Sequence, residues 1–317
     1  MDNLISSNND GVNLDDTSMC NVISSNYIGT DINGTAKIGN QHGISIWGSH
    51  NTIGGNHSDQ GNLISGNEHT GINLSDGAYD NVIMGNLIGT DASGTAALGN
   101  ESMGIRLFRS GGVYHNRIGG VTSGERNIIS GNSGSGIWIE TGAVTNTVIG
   151  NYIGTDISGR VAIPNIQSGI MLWGGQFNVI GGSTPAKRNV ISGNGEDGVQ
   201  IRDTTTLSNI VSSNYIGTDV GGTNPLANGR HGVSIESSRG NTVDHNTIAY
   251  NTSHGICVSG ADAARNTITQ NSIHSNDERG IALDEGNTEL NAPLITDVTS
   301  QTVRGIAPMA YITVEVF

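Results

Sequence analysis

A glycine followed by an apolar residue, any residue and a second apolar residue recurs along most of the chain, and this repeat constrains the fold more than any other feature. The motif is written GIxI after its commonest form. The intervals from Gly232 to Gly255 and from Gly255 to Gly280 are the shortest, so the longer ones hold the same unit plus a loop. The motif starts at Gly11, Gly43, Gly71, Gly104, Gly136, Gly169, Gly198, Gly232, Gly255 and Gly280.

Each unit contains three short apolar segments with the period of β-strands. The GIxI segment comes first, a segment beginning Asn-x-Ile/Val follows, and an xIG or xIS segment ends the unit. Strands this short cannot bury a core alone, but stacked units bury a continuous one. The repeat therefore predicts an all-β chain of about ten coils, with three parallel sheets around an interior of Ile, Val and Leu.

Asparagines lie four residues before most of the motif glycines, and we expect them to stack at one corner of the coils. Their side-chain amides can satisfy turn backbone there, so a structural role is predicted for them. They are Asn67, Asn100, Asn132, Asn165, Asn194, Asn228, Asn251 and Asn276.

Over about residues 3–290 the pattern resembles the right-handed parallel β-helix proteins of the pectate-lyase-like fold, especially the repeats of bacterial secreted and surface proteins. The resemblance implies a right-handed three-sheet helix over residues 1–290. It does not imply one activity, because this architecture carries lyases, hydrolases, epimerases, tailspikes and adhesins. Residues 291–317 alternate apolar and polar side chains as a hairpin does. We predict a short C-terminal β extension there, the truncated start of a following module.

Charge and hydropathy narrow the class of partner. The net charge of −14 argues against nucleic acid, which favours a basic face. No apolar run is long enough to span a membrane, and the first residues lack the pattern of a signal peptide.

Because the chain begins inside a repeat, we interpret it as a fragment of an extracellular or cell-surface protein. Coil edges exposed at a cut end would favour self-association. Cys20 and Cys257 are predicted to be free thiols.

Alternation along the GIxI strands predicts two columns of outward side chains. The first outward column reads Asn13, Ser45, Asn73, Arg106, Trp138, Met171, Gln200, Ser234, Cys257, Ala282. The second outward column reads Asp15, Trp47, Ser75, Phe108, Glu140, Trp173, Arg202, Glu236, Ser259, Asp284. All three tryptophans lie in these columns, whereas outward positions elsewhere are predicted to be mostly Asn, Ser, Thr and Gly.

An aromatic patch on a protein surface marks a binding site. Sugar rings present apolar faces between polar edges, so flat aromatics among polar residues suit a glycan. We expect a polysaccharide or a cell-surface glycan to bind along Trp47, Phe108, Trp138, Trp173, Met171 and Gln200. The alternative is that loops fold over these aromatics and bury them.

A second hypothesis is a polysaccharide lyase or glycoside hydrolase acting in the same groove, and a third is a passive adhesin stalk. Ile137-Trp138-Ile139-Glu140 is similar to a strand motif of pectate lyases, although Thr141 stands where they have His. Gln41-His42-Gly43 and Ser253-His254-Gly255 are similar to the Gly-His-Gly strand of polygalacturonases. The candidate catalytic residues are Arg106, Glu140, Arg202 and Glu236, with surface ion pairing as the alternative role of these charges.

The residues just before the motif glycines form a further column, which holds Asp197, His231, His254 and Arg279 on consecutive coils. Two histidines with an aspartate suit an acid–base relay or a metal site. Histidines that only hydrogen-bond a turn explain the pattern as well.

Four loops opening Ile-Gly-Thr-Asp, here called the IGTD loops, recur on every second coil. They are expected to wall one side of the GIxI sheet. Their aspartates, Asp31, Asp91, Asp156 and Asp219, suggest a calcium site, although a turn closed by the aspartate explains them equally. The sequence requires no cofactor, and calcium is the cofactor for which it offers possible ligands.

Loops opening Ile-Gly-Gly alternate with the IGTD loops. The nearly verbatim repetition of the loops favours a non-catalytic scaffold.

Overall fold

The computed structural model describes residues 3–57, 59–108, 111–287, 294–298 and 303–306. Its main body consists of three long parallel sheets, of ten, ten and nine strands, in which each strand pairs with the equivalent strand of the neighbouring coil. This confirms the predicted all-β, three-sheet helix of about ten coils. The strands are short because the chain turns a corner after each one, so only stacking of coils buries their apolar sides.

The strands of the three sheets follow one another in every coil. The GIxI sheet comprises Asp10–Leu14, His42–Ile46, Ile72–Ser75, Ile105–Phe108, Ile137–Glu140, Ile170–Trp173, Val199–Arg202, Val233–Glu236, Ile256–Ser259 and Ile281–Asp284. The second sheet comprises Val22–Ile23, Thr52–Gly54, Val82–Met84, Arg117–Gly119, Thr147–Ile149, Val179–Gly181, Ile210–Ser212, Thr242–Asp244 and Thr267–Thr269. The third sheet comprises Leu4–Ile5, Tyr27–Ile28, Leu63–Ile64, Leu87–Ile88, Ile128–Ile129, Tyr152–Ile153, Val190–Ile191, Tyr215–Ile216, Thr247–Ala249 and Ser272–His274.

Three smaller elements lie outside these sheets. Val113–Tyr114 and Ala143–Val144 form a short parallel pair, and Pro185–Lys187 is one 3-10 turn. Leu294–Val298 pairs antiparallel with Val303–Ile306, as a hairpin does. The remainder of the predicted extension, residues 291–317, lies outside the described residues, and its assignment to a following module stays a prediction. Within the described ranges, no helix has the length and apolarity that a membrane span requires.

The strand register aligns the outward side chains of the GIxI sheet in columns. Asn73 lies opposite Arg106, Arg106 opposite Trp138, and Trp138 opposite Met171. The alternate residues of the same strands point inward, and Ile137 and Ile139 are fully buried in the continuous core. The indoles are therefore on the outside of the coil, as the alternation predicts.

The buried asparagines form three ladders, one at each corner, where one ladder was predicted. In each ladder an amide nitrogen donates to the amide oxygen of the next coil, as from Asn67 to Asn100 at 2.8 Å. The same oxygen accepts the backbone N–H of the preceding asparagine. The two further ladders pass through Asn116 and Asn146, and through Asn127 and Asn151. Each ladder therefore pairs backbone groups that the turns would otherwise leave unsatisfied inside the protein.

The IGTD loops do not wall the GIxI sheet as expected, but cover the outer face of the third sheet. Gly159 of one loop lies against the Tyr152 ring, and Gly222 of another lies against Tyr215. Successive IGTD loops also hydrogen-bond to each other, as from Ile157 N to Gly94 O at 2.9 Å. The reason is that the outer face of the third sheet is apolar and needs cover.

The expectation of polar outward positions outside the GIxI sheet is thus wrong for the third sheet. Its outward residues include Leu63, Ile128, Tyr152 and Val190, all buried. Arginines of the Ile-Gly-Gly loops complete the cover, since the Arg126 guanidinium lies 4.1 Å from the Tyr152 ring centroid. Loops from both sides make this face a packed surface.

Candidate functional site: a groove on the GIxI sheet

The outer face of the GIxI sheet is a groove made of three neighbouring columns. The first outward column forms its floor, because Ser45, Met171, Gln200 and Ser234 are buried although they point away from the core. The column of residues before the motif glycines forms one side, as shown by the Ser45 hydroxyl donating to Asp10 at 2.6 Å. The second outward column forms the other side and is more exposed.

Aromatic rings and ion pairs alternate in the middle of the groove. Trp138 and Trp173 lie on neighbouring coils with their ring centroids 6.1 Å apart and their planes at 27°. Trp173 is 40% exposed and Trp138 is half-buried. The pair therefore presents a stacked aromatic surface to solvent, and the loops do not bury it. We call Trp138 and Trp173 the tryptophan pair.

Arginines hold each end of the tryptophan pair. The Arg106 guanidinium lies 3.9 Å from the Phe108 ring centroid and 5.5 Å from Trp138, and its Nε donates to Glu140 at 2.5 Å. The Arg202 guanidinium lies 4.7 Å from the Trp173 ring and 4.0 Å from Glu236. Cation–π contacts of this kind fix the rings and arginines against each other. A cavity of about 200 Å³ opens beside Trp173, lined by Trp173, Arg202, Asp203, Thr204, Glu236 and Ser237.

Six buried polar side-chain atoms on this face have no hydrogen-bond partner within the described residues. Buried polar atoms are nearly always paired, so a cluster of unpaired ones needs a reason. They lie in the first outward column and in the neighbouring column before the glycines. The atoms are His42 Nδ1, Asn73 Oδ1, Trp138 Nε1, Ser168 Oγ, Asp197 Oδ2 and Gln200 Oε1, and one further such atom, Asp244 Oδ1, lies on the second sheet.

The four charged candidates for catalysis are brought together as two ion pairs. Arg106 pairs with Glu140 and Arg202 pairs with Glu236. Glu140 and Glu236 are three strand steps apart along their column. That is about 14 Å at the spacing of parallel strands, whereas a hydrolytic pair of carboxyls needs about 5–10 Å. The structure does not bring these two acids together as a pair.

His231 and His254 stack on consecutive coils, with ring centroids 5.1 Å apart and planes at 5°. With Cys257 they offer three donor atoms within 4.8 Å of one another. Nδ1 of His231 accepts the backbone N–H of His254, and Nδ1 of His254 accepts that of Arg279. A metal must lie about 2 Å from each ligating nitrogen and in line with its lone pair. Parallel stacked rings do not converge in this way, so the arrangement is a turn-stabilising ladder as it stands.

Asp197 lies in the same column and is fully buried. Its Oδ1 accepts the backbone N–H of His231 at 3.0 Å, and its Oδ2 lies 3.5 Å from the Arg230 guanidinium. Burial raises the pKa of Asp197 to about 6, against the opposing effect of Arg230. Burial also lowers the pKa of His231 to about 4, and Arg230 and His254 act in the same direction. The sequence placed both residues in one column, but their burial could not be read from it.

The IGTD aspartates use their carboxylates to close their own loops. Asp31 Oδ1 accepts the backbone N–H groups of Thr35 and Ala36, at 2.7 and 2.9 Å. Asp91 and Asp156 do the same in their loops, and Asp219 accepts three such bonds. These bonds lower the pKa of Asp31, which is consistent with a carboxylate held ionised. The loop-closing role is present in all four, and the calcium hypothesis stays a prediction.

The remaining predicted ligand-binding residues occupy different parts of the groove. Met171 and Gln200 lie on its floor below the tryptophan pair, 8% and 4% exposed. Trp47 is half-buried and lies four coils from Trp173 in the second outward column. Asp10 and Ser168 were missed, and His42 was noted only within the segment Gln41-His42-Gly43. All three share the position before the glycine with Asp197 and His231. That common position was the signal that could have found them.

A larger cavity of about 630 Å³ lies over the third sheet, between the IGTD and Ile-Gly-Gly loops. Its lining includes Leu87, Arg126, Ile128 and Ile157. None of the buried unpaired atoms of the described residues belongs to its lining. The groove on the GIxI sheet is therefore the stronger candidate of the two, because it combines exposed aromatics with unsatisfied polar groups.

Comparison with protein-family models matches residues 168–291 to "Right handed beta helix region". The right-handed parallel β-helix predicted from the repeat is thereby confirmed. Comparison with curated proteins found no match for this chain.

Three solved structures illustrate what the chain is similar to. The A-module of the mannuronan C-5 epimerase AlgE4 from Azotobacter vinelandii is 12% identical, with a TM-score of 0.48 over 78% of this chain and 62% of that one. An alginate lyase from Paenibacillus sp. is 14% identical, with a TM-score of 0.45 over 89% and 99%. PfbA, a surface adhesin of Streptococcus pneumoniae, is 11% identical, with a TM-score of 0.23 over 89% and 85%. The chain thus spans less than two thirds of the epimerase module.

Proposed function

We propose that this protein is an extracellular or cell-surface scaffold that binds polysaccharide along the groove of the GIxI sheet without cutting it. The observation that carries the proposal is the tryptophan pair, stacked and open to solvent on a face with six unpaired buried polar atoms. Flat rings take the apolar face of a sugar, and the polar atoms take its hydroxyl groups.

The surroundings of the tryptophan pair support binding. Arg106 and Arg202 contact the rings and are each paired with a glutamate. The rings are therefore held in place before a ligand arrives, which lowers the entropy that binding must overcome. Tryptophan and arginine are also the residue types that contribute most to the energy of binding sites.

The placement of the charges favours binding over catalysis. Arginine side chains are poor bases in general, and the Arg106 Nε already donates to Glu140 at 2.5 Å. Glu140 and Glu236 are too far apart to act on one glycosidic bond. Assays for new reducing ends and for unsaturated products, run on a panel of polysaccharides, test this part of the proposal. Either product in amounts that depend on Glu140 or Arg106 would replace the scaffold by an enzyme.

Replacing both tryptophans of the pair tests the binding site itself. Trp138→Ala with Trp173→Ala should weaken polysaccharide retention in affinity electrophoresis by about tenfold or more, because central aromatic contacts are commonly worth 2 kcal/mol or more. Phe177→Ala is the matched control, since Phe177 is 55% exposed but lies outside the groove. Equal retention by the double variant and the parent protein would leave the passive stalk as the better description.

The fluorescence of the protein gives a direct second measurement. Trp47, Trp138 and Trp173 all lie on the GIxI face, and they are the three tryptophans of the chain. A ligand in the groove should shift their emission and protect it from acrylamide. A glycan that binds with no change in tryptophan emission would place the binding site elsewhere.

A further inference from the structure

The unpaired atoms of the groove are mostly hydrogen-bond acceptors. Asn73 and Gln200 present amide oxygens, which cannot donate, whereas the unpaired oxygen of Asp197 faces the Arg230 guanidinium at 3.5 Å. Trp138 Nε1 can only donate. A ligand that satisfies this face must therefore bring many hydrogen-bond donors and few negatively charged acceptors.

Three arginines of the groove already face a protein carboxylate. Arg106, Arg202 and Arg230 each have a carboxylate oxygen within 4.0 Å, from Glu140, Glu236 and Asp197 respectively. A ligand carboxylate that approached one of these guanidinium groups would lie beside the protein carboxylate that the arginine already faces. Like charges placed together in this way select against a partner.

Asp203 adds negative charge at the mouth of the cavity beside Trp173. The chain as a whole carries a net charge of −14, so an anionic polymer also meets repulsion as it approaches. The two effects act in the same direction, one at short range and one at long range.

We infer that the groove takes an uncharged, hydroxyl-rich glycan and discriminates against polyuronates. The inference rests on the proposed function and specifies its ligand class. The sugar hydroxyls donate to Asn73 and Gln200, while a ring face stacks on the tryptophan pair. A cationic amino-sugar polymer is the competing ligand class, since it too would bring donors to an acidic groove.

Oligosaccharides of one length and different charge test the inference. The neutral probes are hexasaccharides of glucose, mannose, xylose and N-acetylglucosamine, the anionic probe is hexagalacturonate, and the cationic probe is the chitosan hexamer. We expect at least one neutral probe to bind about tenfold more tightly than both charged probes. Its affinity should stay constant from low salt to half-molar salt, because screening weakens only charge-dependent binding.

The experiment distinguishes failure of the inference about charge from failure of the proposed glycan-binding function. Preferred binding of hexagalacturonate or of the chitosan hexamer would overturn the inference about charge and leave the glycan-binding function standing. Absence of binding by every probe and by the polysaccharide panel would overturn both.

Gln200→Met separates a ligand contact from a structural contact. Gln200 is 4% exposed and its Oε1 has no partner in the described residues, so a methionine of similar shape should leave the protein equally or more stable. Binding of the neutral probe should nevertheless weaken about tenfold, because one acceptor is lost. Asp244→Ala is the control, since it removes an unpaired Oδ1 that lies on the second sheet, and it should leave binding unchanged. Unchanged binding by Gln200→Met would remove the floor of the groove from the contact surface.

Discussion

Asparagine suits the corners of this helix because it carries a donor and an acceptor on a short side chain. Asn146 shows the full pattern within the ladder of the second sheet. Its oxygen accepts the backbone N–H of Asn116 at 3.0 Å, and its nitrogen donates to Val113 O at 2.9 Å and to Asn178 Oδ1 at 3.1 Å. One side chain thereby ties three successive coils together.

Asn146→Ala should lower the free energy of unfolding by about 3 kcal/mol, because it leaves buried backbone groups of the neighbouring coil without partners. Chemical denaturation monitored by circular dichroism measures the change. Asn56→Ala is the matched control, because Asn56 is exposed in a loop and its loss should cost little. Equal stability of the two variants would show that the ladder contributes nothing to folding.

Asp197 and His231 form a residue pair with opposite pH dependence. Between pH 3.8 and about 6, Asp197 keeps its proton only in the folded state, so its contribution to stability falls as pH rises. Between about pH 4 and 6.5, His231 keeps its proton only in the unfolded state, so its contribution rises with pH. The two slopes nearly cancel, so the combined contribution of Asp197 and His231 to stability should be almost constant in the window that they share. The charged groups that act on the pair are Arg230, Glu196, Glu236, His254, Glu278 and Asp284.

Single substitutions of Asp197 and His231 should each reveal one of the two slopes of unfolding free energy against pH. The stability of Asp197→Asn should rise with pH from about 4 to 6.5, and that of His231→Gln should fall with pH from 3.8 to about 6. Each slope should approach about 1.4 kcal/mol per pH unit. Denaturation curves across this window provide the measurement, and the double variant, which should again be nearly flat, is the control. Parallel curves for both single variants would contradict the assignment.

At the scale of the strand, the motif glycine is explained by the approach of the next coil. A Cβ on Gly136 would lie 2.7 Å from the carbonyl oxygen of Gly169 and 2.9 Å from Asn165 Nδ2. Gly136→Ala should therefore push the two coils apart and cost about 2 kcal/mol. Gly280 begins the same motif on the last coil that the structure describes, and there the nearest described atom to an added Cβ is 3.5 Å away.

Gly280→Ala is thus the control for Gly136→Ala, because it has the same motif and no further coil stacked on it among the described residues. Thermal unfolding of the two variants gives the comparison, and a clear loss of stability is expected for Gly136→Ala alone. A similar loss in both would mean that the glycine is needed for its local backbone rather than for close stacking.

The elements that sequence alone predicts are those set by a strict period. The alternation of Ile137, Trp138, Ile139 and Glu140 fixed which side chains point inward, because a strand has a period of two. The covering of the third sheet was missed because Tyr152 precedes a single inward residue, and two-residue strands show no alternation. The IGTD loops were misplaced for the same reason, since their position depends on what they cover.

The chemistry of the groove was predictable only in part. Sequence placed Arg106, Glu140, Arg202 and Glu236 in the right columns. Arg202 and Glu236 are register partners in one column, so their proximity follows from the repeat. Arg106 reaches Glu140 diagonally from the other column, and that pairing depends on rotamers set by packing rather than by residue order. The unpaired state of Gln200 and Asn73 likewise appears only when every neighbouring donor has a position.

At the scale of the whole molecule, the groove runs along the axis of the helix, across the strands. Its unpaired atoms extend from His42 to Gln200, over six neighbouring strands. This corresponds to about 24 Å at the usual spacing of parallel strands. A glycan bound along it would thus meet a new set of side chains at each coil, and the tryptophan pair at one step only.

Affinity should accordingly rise with the length of a neutral oligosaccharide and stop rising when the ligand spans the groove. A disaccharide can reach little beyond the tryptophan pair, whereas a chain of about 24 Å also reaches Asn73 and His42. Titration calorimetry with a homologous series measures the dependence. The Trp138→Ala and Trp173→Ala double variant should bind every member more weakly and keep a length dependence, since the other contacts remain. A disaccharide that binds as tightly as the longest member would show that the ligand occupies the cavity beside Trp173 and does not follow the axis.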